Sequence, residues 1–189
     1  MKVCGIIAEY NPFHNGHRFH IEETRRRTGA DYCIVIMSGD FLQRGGPAVV
    51  DKYLRAECAL ENGADLVIQM PVTGSTASAG EYAKCGVTLL SRLGVVTDLS
   101  FGCEAETDEE KEILFEAAGY LYTEPDCFQT ILSEGMRRGM TFPPQDWKHY
   151  TPVLGMMTGK SRSWKNSFVR PITFLLWNTC MPIWALTDP

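Results

Sequence analysis

One stretch near the start of the chain constrains the fold more than any other. Residues 5–17 have the sequence GIIAEYNPFHNGH. We predict that Val3 to Ala8 forms a buried strand, because the run is short and apolar. The strand must end by Asn11-Pro12, since proline has no N–H group to donate and biases its neighbour away from helix. Gly16 allows close backbone approach, and His17 to Arg27 is predicted to be helical.

A strand, a glycine-containing loop and a helix form half of a nucleotide-binding α/β unit. The amino end of such a helix carries unpaired N–H groups and the positive end of the helix dipole, which favour phosphate. His14 and His17 lie three residues apart across this turn, so both side chains can face an anion there. The alternative is that the two histidines only cap the helix, but the strand before and the helix after favour a phosphate site.

The pattern His14-Asn15-Gly16-His17, placed directly after a first strand, resembles the HxGH signature of nucleotidyltransferases. In those enzymes the histidines stabilise the α-phosphate during attack. A glycine loop alone would be weak evidence, because many α/β proteins have one.

Composition limits the classes of protein to which the chain can belong. Its 189 residues are enough for one ordinary domain with a real core, and 44% hydrophobic with 22% charged residues is typical of a soluble globular protein. The net charge of -5 excludes a general basic surface for nucleic acid, so any RNA contact must come from a local patch.

The seven cysteines show no CxxC or zinc-ligand spacing, and several lie in apolar runs. Those in apolar runs are predicted to be buried free thiols, which fits a reducing cytoplasm. The sequence shows no signal peptide and no apolar run of membrane-spanning length, so we expect a cytoplasmic protein with no membrane partner.

Further along the chain, apolar runs alternate with helical patterns. Strands are predicted at Asp31 to Met37, Ala64 to Met70 and Asp98 to Phe101, and helices at Val50 to Asn62 and Glu81 to Leu93. Strands that are separated by helices predict right-handed parallel crossovers. The predicted fold class is therefore α/β: a Rossmann-like parallel sheet of four or five strands flanked by helices. Two more helices are predicted, over 107–122 and 125–138.

The side chains of the second helix allow a prediction of its inner face, which we place at Tyr53, Leu54, Cys58 and Leu60. Residues 73–78 are predicted to form a loop of small residues that leaves room for a ligand.

Ligands in α/β sheets bind outside the carboxyl ends of the strands. The polar loop after the second strand should therefore lie near the first loop. Its Arg44 is a candidate to contact ATP phosphates or a nucleic-acid backbone, and a solvated loop arginine is the alternative. Gly102, after the fourth strand, is a second place where backbone can meet a nucleotide.

The runs GIIAEYNPFHNGH, MSGDFLQRG, GADLVIQMPV, LGVV and SFGCE resemble the bacterial tRNA(Met) cytidine acetate ligases over residues 1–143. Members of that family have a Rossmann-like core similar to that of class I aminoacyl-tRNA synthetases. The resemblance implies that ATP and acetate form acetyl-adenylate and pyrophosphate. The acetyl group then passes to N4 of the wobble cytidine of elongator tRNA(Met). ATP, acetate and that tRNA are therefore the expected partners.

The resemblance also implies site residues, with His14 and His17 as the catalytic pair on the phosphates. Asp40 and Gln69 depart from the asparagine and glutamate expected there. Magnesium on the phosphates is expected, although no carboxylate cluster marks its site. The residues that would bind ATP are Ile7, Ala8, Glu9, Tyr10, Asn11, Pro12, Phe13, His14, Asn15, Gly16, His17, His20 and Gly102.

From about Pro144 the family pattern ends, and all four tryptophans lie beyond it. The FPxAR and Pro-Asn-Asn-Ile-Leu segments of the family are not visible. Residues 170–179 can be encoded by codons that, when read one nucleotide out of register, encode PNNILAVEY. We therefore hypothesise a frameshift near Pro143-Pro144, which makes 1–143 a nucleotidyltransferase-like ATP-binding domain and 144–189 an irregular, out-of-frame and poorly ordered tail.

Two other functions remain open on the sequence. The first is a small-molecule adenylyltransferase of the HxGH superfamily, which would act on a nucleotide or a phosphopantetheine-like substrate. The second is an inactive fragment that binds ATP or nothing.

Overall fold

The computed structural model describes residues 1–102, together with Thr130, Ser133, Glu134 and Arg137. The chain divides into two units, Met1–Gly102 and Cys103–Pro189. The four described residues of the second unit are helical, as predicted for 125–138. The predicted helix at 107–122, the domain boundary at residue 143 and the tail at 144–189 lie outside the described residues.

The first unit is a four-stranded sheet with helices on both faces. All its strand pairs are parallel, in the order β3-β2-β1-β4. This confirms the predicted α/β fold with a Rossmann-like parallel sheet. The elements are β1 (Val3–Ala8), α1 (Asn15–Thr28), β2 (Tyr32–Ser38), α2 (Lys52–Glu61), β3 (Leu66–Met70), α3 (Val72–Ser75), α4 (Ala79–Arg92) and β4 (Asp98–Ser100).

The strand order determines where a ligand can bind. The chain moves outward from β1 to β2 and β3, and then returns to place β4 on the other side of β1. Such a reversal opens a crevice outside the carboxyl ends of the two strands that flank it. Here those strands are β1 and β4, which pair in register from Cys4 with Asp98 to Ile6 with Ser100. The turn after β1 carries the histidines, and Gly102 follows β4.

The core has one layer on each face of the sheet. On one face, Ile21 of α1 and Ala59 of α2 pack against Ile6 and Val35. On the other, residues of α4 pack against β1 and β2. Gly86 makes this second contact close, because a Cβ atom there would lie 2.6 Å from Ile7 Cδ1. Cys4 and Cys33 are buried free thiols, as predicted, whereas the free thiols Cys58 and Cys85 are half-buried.

The predicted inner face of α2 is wrong. Tyr53, Leu54 and Leu60 are 73%, 50% and 46% exposed and Cys58 is half-buried, whereas Arg55 and Ala59 are buried. The small Ala59 lets the helix lie close to the sheet. The Arg55 guanidinium is buried because backbone carbonyls accept all its hydrogen bonds.

The predicted small-residue loop at 73–78 is also partly wrong, because Val72–Ser75 is a short helix. Ser75 is buried and donates a hydrogen bond to the carbonyl oxygen of Phe41. A Cβ atom on Gly74 would overlap the Cys85 side chain. The small residues here therefore serve close packing. Among the described residues, no helix has the length and apolar character needed to cross a membrane.

Candidate active site

The turn after β1 is closed by its two histidines. His14 has extended backbone angles (φ -146°, ψ 173°) and is the N-cap of α1. Its Nδ1 atom accepts from the Gly16 N–H at 3.1 Å, while His17 Nδ1 accepts from the His14 N–H at 3.3 Å. The arrangement is a capping box in which imidazoles replace the usual hydroxyl and carboxyl groups. It starts α1 at Asn15, two residues earlier than predicted.

These hydrogen bonds determine which nitrogen of each ring carries the proton. Both Nδ1 atoms accept, so each neutral ring has its proton on Nε2. The rings are stacked, with centroids 3.7 Å apart and an interplanar angle of 23°. Two N–H donors are thus available from adjacent parallel rings, an arrangement that suits two oxygens of one phosphate group.

The helix start itself offers fewer free amides than predicted. The Gly16 amide donates to the His14 ring, and the His17 and Arg18 amides donate to the His14 carbonyl oxygen. Within the described residues, only the Asn15 amide of this first turn has no acceptor. The anion-binding groups of the turn are therefore mainly the imidazole N–H groups.

Burial keeps the ring of His17 uncharged. Burial, together with the smaller effects of the neighbouring His14 and His20, lowers the pKa of His17 from 6.5 to about 4. Burial also lowers the pKa of His20. At neutral pH, His17 therefore contributes an N–H donor and no net charge.

The ring of Tyr10 packs against the turn that carries the histidines. Its ring contacts those of His17 and Phe13 edge-on, with centroids 4.8 and 4.9 Å apart. Its φ of 50° lies in the left-handed region, which costs a non-glycine residue about 1–2 kcal/mol. The side chain is buried in the core cluster that contains Ile6 and Ile21, and its hydroxyl has no partner among the described residues. The contact of Tyr10 with ATP therefore stays a prediction.

A chain of hydrogen bonds joins α1 to the carboxyl end of β4. His20 Nε2 lies 3.0 Å from Ser100 Oγ, which lies 2.6 Å from Thr24 Oγ1. Gly102 follows two residues later and is exposed, with nothing within 4 Å of an added Cβ atom. Helix α1 thus contributes the histidine turn at its amino end and holds β4 through its middle.

The other predicted ATP-binding residues differ in what they contact. Ile7 packs against α4, while Glu9 and Asn11 use their side chains to bind the backbone of the loop after β2. Ala8 and Phe13 pack against the core. Pro12, His14, Asn15 and Gly16 are exposed and free to meet a ligand.

Sequence reasoning missed Arg55, which ties the carboxyl ends of β1 and β2 together. The residue is only 1% exposed. Its nitrogens donate to the carbonyl oxygens of Val50 (2.9 Å), Glu9 (2.6 Å), Ser38 (3.1 Å) and Gly39 (2.5 Å). The available signal was the pair Arg55 and Ala59, four residues apart on one helix face. This face contains one small residue, Ala59, and so lacks the apolar stripe that usually indicates a buried helix face.

The described part of the chain has no cluster of side chains that could bind magnesium. Among the described residues, no group of three or more histidine, cysteine, aspartate or glutamate side chains could hold a metal ion. Near the turn, Glu9 already accepts from the Gln43 amide and Asp40 pairs with Lys52. The magnesium expectation therefore stays a prediction.

Comparison with known proteins identifies the family. A family model described as HIGH Nucleotidyl Transferase matches residues 1–166. The chain belongs to this family. The predicted HxGH resemblance and the predicted fold class are confirmed, and the predicted enzyme class of ligase or nucleotidyltransferase agrees with the description of the family.

The names of curated relatives are more specific than the description of the family. The tRNA(Met) cytidine acetate ligase of Thermosipho melanesiensis is 44% identical over 143 residues, which is 76% of this chain and 33% of that protein. The enzyme of the same name from Syntrophomonas wolfei is 47% identical over 143 residues, or 34% of its length. The chain thus spans about a third of the length of these curated relatives.

Solved structures also match the chain. The crystal structure of Thermotoga maritima TmcAL bound with alpha-thio ATP is similar, with a TM-score of 0.88 at 37% identity. The match covers 100% of this chain and 44% of that one. The apo form of the same protein has a TM-score of 0.87. An ATP analogue is therefore bound by a protein of the same fold.

Proposed function

We propose that the chain uses ATP to activate acetate as acetyl-adenylate, as the first step of acetylating the wobble cytidine of elongator tRNA(Met). The observation that carries this proposal is the stacked pair of His14 and His17, with two Nε2–H donors beside the crevice between β1 and β4. The names of the curated relatives support the substrates.

The geometry suits this reaction. An acetate oxygen attacks the α-phosphorus, the new oxygen–phosphorus bond forms, and the bond to the β-phosphate breaks to release pyrophosphate. Negative charge grows on the α-phosphate oxygens as this happens. Donors that are fixed before the reaction stabilise this charge without reorganisation. The capping hydrogen bonds hold the rings of His14 and His17 in place, so positioning contributes as well.

In the second step the N4 amine of cytidine attacks the acetyl carbonyl carbon. The carbon–oxygen bond to AMP breaks, and the amine loses a proton. Backbone affinity for RNA depends on lysine and arginine side chains that neutralise phosphates. A net charge of -5 provides no general basic surface of this kind. We expect weak ATP binding, no stable tRNA complex at physiological salt and no acetylcytidine.

The experiment is ATP–pyrophosphate exchange by the purified 189-residue chain, with detection of acetyl-adenylate by mass spectrometry. Acetate should stimulate exchange in the wild-type chain and in the control S91A, which alters an exposed serine on α4. Exchange by the H17A variant should be about 100- to 1000-fold slower. Exchange that ignores acetate but responds to a nucleotide or a phosphopantetheine-like substrate would favour a small-molecule adenylyltransferase. Absence of any turnover would favour an inactive fragment.

The frameshift hypothesis for residues 144–189 has its own test, which is the nucleotide sequence of the gene. It predicts that the displaced frame over residues 170–179 reads PNNILAVEY, and that restoring the frame restores tRNA binding and acetylation. If the displaced frame does not encode that segment, the hypothesis is wrong.

A further inference from the structure

The loop after β2, residues 39–50, is fastened to the turn that carries the histidines. The Gln43 N–H donates to Glu9 Oε1 at 2.8 Å, and the Val49 N–H donates to Asn11 Oδ1 at 2.7 Å. Arg55 binds the carbonyl oxygens of both Glu9 and Gly39. The loop therefore has a defined position beside the histidine turn, at the same edge of the sheet.

Arg44 lies at the tip of this loop, where the backbone is also constrained. The Gly45 N–H donates to the Leu42 carbonyl at 2.8 Å, and the Leu42 N–H donates to the Gly46 carbonyl at 2.9 Å. The φ of Gly45, 78°, is one that glycine adopts easily. Arg44 is exposed and one residue from the bond between Gln43 and Glu9.

Among the described residues, no carboxylate near the loop is available to pair with the positive charge of Arg44. The acidic groups around the loop are already bound: Asp40 by Lys52 at 2.9 Å, and Asp51 by the Tyr53 amide at 2.8 Å. The arginines of α1 are all paired with carboxylates, namely Arg18, Arg25, Arg26 and Arg27. Within residues 1–102, Arg44 has neither an ion pair nor a hydrogen-bonded partner.

The histidine turn provides donors, but the neutral ring of His17 provides no charge to match a triphosphate. A guanidinium supplies both, because its planar fork binds two phosphate oxygens at once. We propose that Arg44 binds the β- and γ-phosphates of ATP, and hence the pyrophosphate that leaves. This inference rests on the proposed function and assigns the polyphosphate part of its site.

The test titrates the 189-residue chain with ATP, AMP and inorganic pyrophosphate by calorimetry. R44Q should weaken ATP and pyrophosphate binding by roughly 10- to 100-fold and leave AMP within about twofold, as expected for loss of a charged hydrogen bond. R44K, which keeps the charge without the fork, should fall between. The matched control is R92Q, since Arg92 is exposed and unpaired within the described residues but lies at the end of α4, at the opposite edge of the sheet.

Two results would overturn the inference: R44Q and R92Q binding ATP equally well, or R44Q losing AMP and ATP affinity by the same factor. The melting temperature should be unchanged, because Arg44 is exposed. Absence of ATP binding by the wild-type chain would instead contradict the proposed function, and this inference would fall with it.

Discussion

The imidazole rings of His14 and His17 stack 3.7 Å apart, and each uses its Nδ1 atom to accept a backbone N–H of the same turn. The nitrogen that caps the helix and the nitrogen that can meet a phosphate are thus on opposite sides of each ring. Helix capping and ligand recognition do not compete. The same two bonds that begin α1 also orient the donors.

Replacing His17 with alanine should lower the rate of adenylation by about 100- to 1000-fold, as is typical for loss of one donor to a developing oxyanion. The fold should change little, because His17 is only half-buried and its ring accepts one long hydrogen bond. H14A should lose activity and also about 0.5–2 kcal/mol of stability, because it removes the N-cap acceptor. Exchange assays and thermal melts separate the two effects. Full activity in H17A would exclude a catalytic role.

The stability of the chain should depend on His17 in a defined pH window. Its pKa is 6.5 when unfolded and about 4 when folded, so between these values the unfolded chain binds a proton that the folded chain does not. The free energy of unfolding should therefore fall as the pH falls from 6.5 towards 4, and the contribution should be complete above 6.5.

Urea melts across this window, together with NMR titration of the ring, measure the effect. His20 acts in the same direction, because burial also lowers its pKa. H17A should show a shallower fall in stability than the wild-type chain. A His17 resonance that titrates at or above 6.5 would contradict the half-buried, neutral ring.

Arg55 should be among the most sensitive positions for stability. R55M leaves four carbonyl oxygens without their donor and should cost more than about 3 kcal/mol. R55K should cost less, yet an ammonium group cannot match the planar fork. Urea denaturation measures both, with R92M as the exposed control. Equal stability of R55M and R92M would show that the bonds contribute nothing.

Ser100 should hold β4 against α1. S100A removes the partner of the buried Thr24 hydroxyl and of His20, so the free energy of unfolding should fall by about 1–3 kcal/mol. The matched variant S91A, on the exposed side of α4, should stay within about 0.5 kcal/mol of the wild-type chain. A loss in S91A as large as that in S100A would contradict the role of this hydrogen-bond chain.

Strands and the histidine turn were predictable because their signals are local. The apolar run of β2 is buried from Cys33 to Ser38, and Gly29 ends α1 in the left-handed conformation expected of a helix-terminating glycine. The start of α1 was misplaced because histidine is not among the usual N-cap residues. Only the reciprocal bonds of His14 and His17 reveal that it acts as one here.

The inner face of α2 could not be predicted, because the buried Arg55 is stabilised by carbonyl groups far away in sequence. Those of Glu9, Ser38 and Gly39 come together only when β1 and β2 pair. The fastening of the loop at 39–50 has the same origin. Periodicity records which side chains are apolar, and it contains no information on which backbone groups will need donors.

The most direct measurement of the central claim is ATP affinity, determined by calorimetry on the wild-type chain and on the double variant H14A/H17A. The claim is that phosphate binds at this turn. The wild-type chain should bind ATP weakly but measurably. The double variant should bind at least about tenfold more weakly, with its helical circular dichroism retained. Equal ATP affinity in the two folded chains would contradict the claim.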